Sequence, residues 1–301
     1  MLIEKNSFYN INCLDGMSKI EDNIIDLTIT SPPYDDLRMY DGSSDKFSTQ
    51  FKKIAEELYR ITKDGGILVW VVGDSTKQFC ETLTSFKQAI YFVEKCGFKL
   101  LDTMIYKKKN YPPAYPTLRR YASTFEYMFV FSKGRPNTFN ALREDKCKSS
   151  IAGNVTSSFR QKDGSLIKKI TDRSNTTKQR TNVWEYLTGS HDNEDKEKFK
   201  HPATFPNKLV EDHILSWSNK GDLIFDPMCG SGTTIFIAKK LERNYIGFEL
   251  AYRYMDIIKK RMSQNLLIKP EVNKPTLSQN NKKEDGIPPT NKLVGILPKR
   301  L

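Results

Sequence analysis

The stretch Ile67-Leu68-Val69-Trp70-Val71-Val72 limits the fold more than any other part of the chain. Six consecutive apolar side chains suit a strand buried on both faces, the condition of a parallel sheet covered by helices on each side. The flanking sequence agrees. Phe51, Ile54, Ala55, Leu58 and Ile61 recur at helical spacing, which predicts a helix over residues 47–62 stopped by Asp64-Gly65-Gly66. A helix over 79–95, ended by Gly97, and strands over 99–107 and 125–131 follow. Upstream, a strand over 8–12, a helix over 15–20 and a strand over 24–29 are expected. Downstream come a helix over 206–217, a strand over 223–225, a helix over 233–241, a strand over 245–248 and a helix over 252–262. This alternation predicts an α/β chain with a mostly parallel sheet.

Between residues 132 and 200 no sustained period appears. Arg143 to Arg180 holds ten Lys or Arg against four Asp or Glu, among many Ser, Thr and Asn. The tail beyond Ser263 is rich in Asn, Lys and Pro and reads as weakly ordered and basic. Four regions result: 1–132, 133–200, 201–262 and 263–301. With 38% hydrophobic residues the chain can bury a sizeable core, and its net charge of +12 points to a polyanionic partner. The five cysteines lack metal spacing and read as reduced thiols of a cytoplasmic protein with no bound metal. The opening Met1-Leu2-Ile3-Glu4-Lys5 has no signal-peptide pattern, and no apolar run reaches the ~18 residues of a membrane span.

Two motifs carry the chemistry. Leu223-Ile224-Phe225 runs into Asp226-Pro227-Met228-Cys229-Gly230-Ser231-Gly232-Thr233-Thr234, a strand, a glycine loop and a helix start. The glycines permit tight turning, and the helix aims free amides at the loop. No Gly-Lys-Ser/Thr follows, which argues against a Walker phosphate loop. Glu249 stands 17 residues beyond Gly232 at the end of the next strand, near the ~20-residue spacing of an acid that receives ribose hydroxyls. The other motif is Thr30-Ser31-Pro32-Pro33-Tyr34, again directly after an apolar strand. Both loops are expected at carboxyl ends of strands, where open α/β sheets bind ligands.

Together these motifs resemble those of the amino methyltransferases of DNA. Their order, catalytic motif first, recognition region next and cofactor loop last, is similar to the beta group of that family over residues 8–262. The resemblance implies a class I, Rossmann-like methyltransferase fold with circularly permuted motifs and an inserted target-recognition region at 133–200. It implies S-adenosylmethionine as cofactor, held by Asp226, Pro227, Gly230, Ser231, Gly232, Thr233 and Thr234, with Glu249 on the ribose. Asn12-Cys13 stands where the family often has Asp-Cys beside the adenine. Lys200-His201-Pro202-Ala203-Thr204-Phe205-Pro206 resembles the segment that closes over the methionine end, through Thr204, Phe205 and Pro206.

By the same resemblance, the Ser31 hydroxyl and the Pro32 carbonyl accept the two hydrogens of an exocyclic amine, making its nitrogen lone pair available. Pro33 stiffens the loop and removes a competing donor, and Tyr34 offers a ring to an extruded base. Ser before Pro-Pro-Tyr looks like the cytosine-N4 enzymes; adenine-N6 enzymes more often carry Asp or Asn there. Methyl transfer to cytosine carbon 5 would need a cysteine after proline, and none of the five follows one. The expected activity is therefore site-specific methylation of cytosine N4 in duplex DNA with base flipping and no covalent enzyme–base intermediate, in a restriction-modification system. Adenine-N6 methylation of DNA, RNA methylation and an inactive nucleic-acid-binding homologue are the alternatives. Any cognate restriction endonuclease acts separately, and the chain is a monomer or homodimer.

Five cations and no acid lie between Tyr106 and Arg120, interleaved with aromatics. Lys107, Lys108, Lys109, Arg119 and Arg120 are read as a loop that clamps phosphates. Arg160, Lys162, Arg173, Lys178 and Arg180 are candidates for contacts with base edges.

Overall fold

The apolar run at 67–72 forms the carboxyl-terminal part of a long central strand, as its composition requires. In the computed structural model the described residues are 2–33, 43–111, 120–146, 152–188 and 206–264, with backbone alone at 43–48, 152 and 171–173. They belong to the unit Met1–Leu266; a second unit, Leu267–Leu301, lies outside them, and so does the expected weak order of the tail.

In chain order the elements are β1 (Ser7–Asn10), α1 (Cys13–Met17), β2 (Ile25–Thr30), α2 (Ser43–Ile61), β3 (Thr62–Val72), β4 (Thr76–Lys77), β5 (Cys80–Glu81) and α3 (Thr84–Tyr91). A π-helical turn, Phe92–Cys96, extends α3. There follow β6 (Lys99–Lys108), β7 (Phe125–Ser132), β8 (Arg143–Asp145), β9 (Ala152–Arg160), β10 (Leu166–Arg173), β11 (Thr177–Gln179) and β12 (Val183–Tyr186). The last are α4 (Asn207–Trp217), β13 (Leu223–Asp226), α5 (Thr233–Lys240), β14 (Asn244–Glu249) and α6 (Tyr252–Met262).

Eight strands make the main sheet, in the order β1-β14-β13-β2-β3-β7-β6-β12. All pairs are parallel except those of β7, which runs against both neighbours. Alternate residues of β3 supply two cores. Ile67, Val69 and Val71 pack with α4, α5 and α6, while Leu68, Trp70 and Val72 pack with α1, α2 and α3. This is the two-sided burial that the apolar run predicts.

The connection from β13 through α5 leads to β14 on one side of β13, and the connection from β2 through α2 leads to β3 on the other side. Neighbouring strands β13 and β2 thus mark the topological switch point of the sheet, and the crevice opens at their carboxyl ends.

Three expectations are corrected. The helix expected over 79–95 starts only at Thr84. Gln78 and Phe79 take φ of +49° and +68° in the β4–β5 hairpin, and the Asp74 carboxylate accepts the Ser85 amide at 2.9 Å, fixing the later start. The segment 132–200 is regular in large part: β8 pairs with β11 and β9 with β10, both antiparallel, while β12 joins β6 in the main sheet. Lys107 and Lys108 end a strand rather than lie in a loop.

Candidate functional site

Each loop of interest leaves the sheet at the switch point. Phe225 of β13 stands beside Thr28 of β2, so the glycine loop and Ser31-Pro32-Pro33 emerge next to one another. The side chains join them: the Thr30 hydroxyl donates to Asp226 Oδ1 at 2.9 Å, and the same oxygen accepts the Met228 amide at 3.0 Å. The Thr234 hydroxyl reaches the Ile29 carbonyl at 3.3 Å. Pro32 is buried, and Ser31 and Pro33 are half-buried. Tyr34 lies outside the described residues.

The glycine loop is held from several directions. Gly230 and Gly232 have φ of +54° and +75°, and Gly232 caps α5 in a conformation that a side chain would strain. Beneath the loop, a Cβ on Gly247 would sit 2.5 Å from Cys229 Sγ, so β14 passes there only without a side chain. Glu249 Oε2 accepts the Gly230 amide and Oε1 the Ala251 amide, both at 2.7 Å. Burial pushes the Glu249 carboxyl up to about 7 and the Asp226 carboxyl up to about 6.

Arg261 completes the frame. Its guanidinium is fully buried over the Phe236 ring. Nη1 donates to the Ser231 carbonyl at 2.6 Å and to the Thr233 hydroxyl at 3.0 Å, and Nη2 to Asn207 Oδ1 at 3.3 Å. Arg261 thus ties α6 to the loop and to the start of α4. It ends the basic run Lys259-Lys260-Arg261, where composition suggests a solvated face. Only its place one turn beyond the buried Ile257 and Ile258 marks it as inward-facing.

The hydroxyls of Ser231, Thr233 and Thr234 are buried and turned inward. The loop therefore offers backbone rather than these side chains, since the first-turn amides of a helix such as α5 have no acceptor within the helix. Pro227 and Pro206 are buried, the latter preceding α4. Asn12 Oδ1 accepts the Leu14 amide at 2.9 Å as the cap of α1. Burial pushes the Cys13 thiol up to about 11. Thr204 and Phe205 lie outside the described residues. No group of three or more His, Cys, Asp or Glu residues among the described residues is placed to hold a metal ion.

The cations expected on DNA divide sharply. Lys107 pairs with Glu185 at 2.6 Å and Lys108 with Glu126 at 2.7 Å. Arg120 pairs with Glu81 at 2.6 Å, and Lys178 with Glu144 at 3.1 Å. Arg180 is fastened to Asp212 at 2.7 Å and lies over the Trp184 ring, with Tyr186 donating to the same carboxylate. These contacts tie the residues before β12 to α4. Arg160 and Lys162 behave otherwise. They sit at the β9–β10 turn, exposed, with no ion pair among the described residues. Lys109 is exposed as well. Arg119 and the side chain of Arg173 lie outside the described residues.

Residues 25–260 match the family described as DNA methylase (N6_N4_Mtase). The chain is 47% identical over 254 residues to the orphan methyltransferase M.BamHII of Bacillus amyloliquefaciens, covering 83% of this chain and 92% of that protein. It is 28% identical to the Type II methyltransferase M.HinfI of Haemophilus influenzae, covering 89% and 70%. Among solved structures, the PvuII DNA methyltransferase (cytosine-N4-specific) superposes with a TM-score of 0.66 at 18% identity over 88% of each chain. A complex of M1.HpyAVI with SAM gives 0.57 at 22% identity, over 86% of this chain and 99% of that one. These likenesses place the sheet and its helices in the class I, Rossmann-like methyltransferase fold.

Proposed function

Since the chain belongs to the DNA methylase family, we propose that it methylates an exocyclic amine of DNA, N4 of cytosine, using S-adenosylmethionine. The observation that carries this reading is the Thr30–Asp226 hydrogen bond, which sets Ser31-Pro32-Pro33 beside the glycine loop at the switch point. The donor set suits the cofactor. Asp226 and Glu249 are buried carboxylates whose ionised forms desolvation disfavours, and a ligand with hydroxyl donors and positive charge offsets that penalty. Each Glu249 oxygen is engaged by one backbone amide, leaving lone pairs for two ribose hydroxyls. When bound, S-adenosylmethionine supplies an electrophilic methyl group.

The chain's own residues hold the other reactant. The Ser31 hydroxyl and the Pro32 carbonyl accept the amine hydrogens, Pro33 keeps the loop stiff, and Tyr34 stacks on the extruded base. Extrusion is required because this amine is inaccessible inside a duplex. Asn12-Cys13 borders the adenine, Thr204, Phe205 and Pro206 close over the methionine end, and the buried Ser231, Thr233 and Thr234 shape the loop. Serine before Pro-Pro-Tyr favours cytosine over adenine, since a hydroxyl both accepts and donates.

The region 133–200 divides between two tasks. β12 belongs to the catalytic sheet, and the β9–β10 ribbon reads DNA. A two-stranded ribbon fits a major groove about 12 Å wide. Arg160, Lys162, Lys168 and Lys169 are exposed on it, supplying phosphate or base contacts, and Lys109 and Arg119 are further candidates for phosphate contacts. The chain acts on cytoplasmic DNA, any cognate nuclease being a separate protein; no helix among the described residues is long and apolar enough to cross a membrane.

Digesting DNA exposed to the enzyme and isotopically labelled cofactor into nucleosides, followed by mass analysis, tests the reading. Labelled N4-methylcytosine is expected. Labelled N6-methyladenine would replace the target base, and no labelled nucleoside from any DNA would overturn the assignment.

A further inference from the structure

The two faces of the β9–β10 ribbon are unlike. Its strands pair antiparallel, with Ser158 opposite Lys168 and Phe159 opposite Ile167. Successive side chains of a strand point to opposite faces, so this register sorts the ribbon residue by residue. One face takes Thr156, Ser158 and Arg160 from β9 with Leu166, Lys168 and Ile170 from β10. The reverse takes Val155, Ser157 and Phe159 with Ile167 and Lys169. The register is held at the turn, where the Gln161 amide donates to the Ser165 carbonyl at 2.8 Å and the Gly164 amide to the Gln161 carbonyl at 3.0 Å.

Burial separates the faces. On the reverse, Val155 and Ser157 are half-buried, and Phe159 and Ile167 are 51% and 48% exposed. On the first face Thr156, Ser158, Arg160 and Lys168 are all exposed, and Leu166 and Ile170 reach 64% and 68%. The chemistry divides in the same sense. The more exposed face carries two hydroxyls, a guanidinium and an ammonium, with two aliphatic side chains among them. The reverse joins Phe159 to Ile167 across the strands and adds one cation, Lys169.

We propose, on the reading that this chain methylates DNA and grips it with the ribbon, that the more exposed face lies toward the bases and sets which sequence is methylated. Arg160, Ser158, Thr156 and Lys168 present the hydrogen-bonding groups that base edges in a major groove match, and Leu166 and Ile170 suit the methyl group of thymine. The Phe159–Ile167 pair offers no hydrogen bond to a base, and Lys169 on that side is left to phosphates. Two pairs of like neighbours therefore have different tasks. Ser157 and Ser158 are adjacent in sequence and point opposite ways, and so do Lys168 and Lys169.

These pairs make the test. The sites methylated in a library of random duplexes are read by sequencing for the full chain and each variant, with circular dichroism as the check of folding. Arg160→Ala should lower the preference for the original sites over sites differing by one base at least ~10-fold. Ser158→Ala and Lys168→Ala should relax it at other positions of the site. Ser157→Ala should leave the sites unchanged. Lys169→Ala should weaken binding alike on all sequences and keep the sites, as loss of a phosphate contact does. Equal changes of site within both pairs, larger ones for Ser157→Ala and Lys169→Ala, or unchanged sites in all three variants of the more exposed face would overturn the face assignment. No methylation of any DNA by the unaltered chain would overturn instead the reading beneath it.

Discussion

The glycine loop and the β9–β10 ribbon are built on opposite plans. Around the loop the polar side chains are committed: Arg261 holds Ser231 and Thr233, Glu249 holds Gly230, and Thr30 holds Asp226. The ribbon is two strands paired only with each other, with Phe159, Leu166 and Ile170 exposed beside Arg160 and Lys162. On the proposed reading, the contrast separates a site whose geometry is fixed before a ligand arrives from one that settles on contact. Transfer between two small reactants is sensitive to displacements of an ångström, and positioning contributes much of the rate. A groove reader gains from long side chains that settle on contact.

The strongest challenge to that contrast is Gly232→Asp. It adds a side chain where φ is +75° and Ile258 would stand 3.1 Å from the new Cβ, and it brings a third carboxylate beside Asp226 and Glu249. Calorimetry should detect no cofactor binding by the folded variant; unchanged affinity would mean that the loop does not hold the cofactor. Next is Ser31→Ala, expected to slow single-turnover methylation by ~10²–10³ while leaving cofactor affinity near wild type. A rate near wild type would place the amine elsewhere.

On the ribbon, Arg160→Ala with Lys162→Ala should leave the melting temperature alone and lower DNA affinity. If both side chains neutralise phosphates, the slope of log affinity against log salt falls by about two, one unit for each phosphate left to its counterions. An altered set of methylated sites, read by sequencing, would instead assign one of them to a base edge. Unchanged affinity, slope and sites would remove the ribbon from the interface.

A smaller effect concerns pH. Glu249 titrates at about 7 when folded against an ordinary 4.5, and Asp226 at about 6 against 3.8. The folded chain keeps protons that the unfolded chain has released, so these groups make stability fall as pH rises from about 4 to 7. A cofactor that prefers the ionised Glu249 should bind up to about tenfold more tightly at pH 7.5 than at pH 6. Glu249→Gln should flatten that dependence, which titration calorimetry at the two pH values would show. The smallest effect is expected of Lys107→Ala. Lys107 already faces Glu185 on an exposed strand end, so DNA affinity in a filter-binding assay should not change measurably.

Much of this could be read from the residues because burial writes itself into them. The run at 67–72, the helical stripe before it and both loops after apolar strands all stand where the alternation puts them. The adjacency of the two loops, 196 positions apart at Thr30 and Asp226, follows from strand order, which requires the switch point as well as the pattern. Other features left weaker traces. β12 is four residues long, and its alternation of Trp184 and Tyr186 with exposed neighbours is hidden in a polar stretch. Phe79 and Leu83 extend the apolar period of α3 backwards, but both take positive φ and lie outside the helix. Arg261 looks like any surface cation, and only three-dimensional packing shows what it holds.

The ends of the ribbon-bearing excursion meet: the Arg180 amide donates to the Leu142 carbonyl at 2.9 Å, and the Arg180 side chain is locked to Asp212. Residues 143–179 therefore leave and re-enter the enzyme through one doorway. For such a closed excursion, doubling its length adds only ~0.6 kcal/mol of closure entropy. On the reading proposed for the ribbon, this segment is a cassette: replacing it between Leu142 and Arg180 should change which DNA sites are methylated while every strand of the main sheet stays in place.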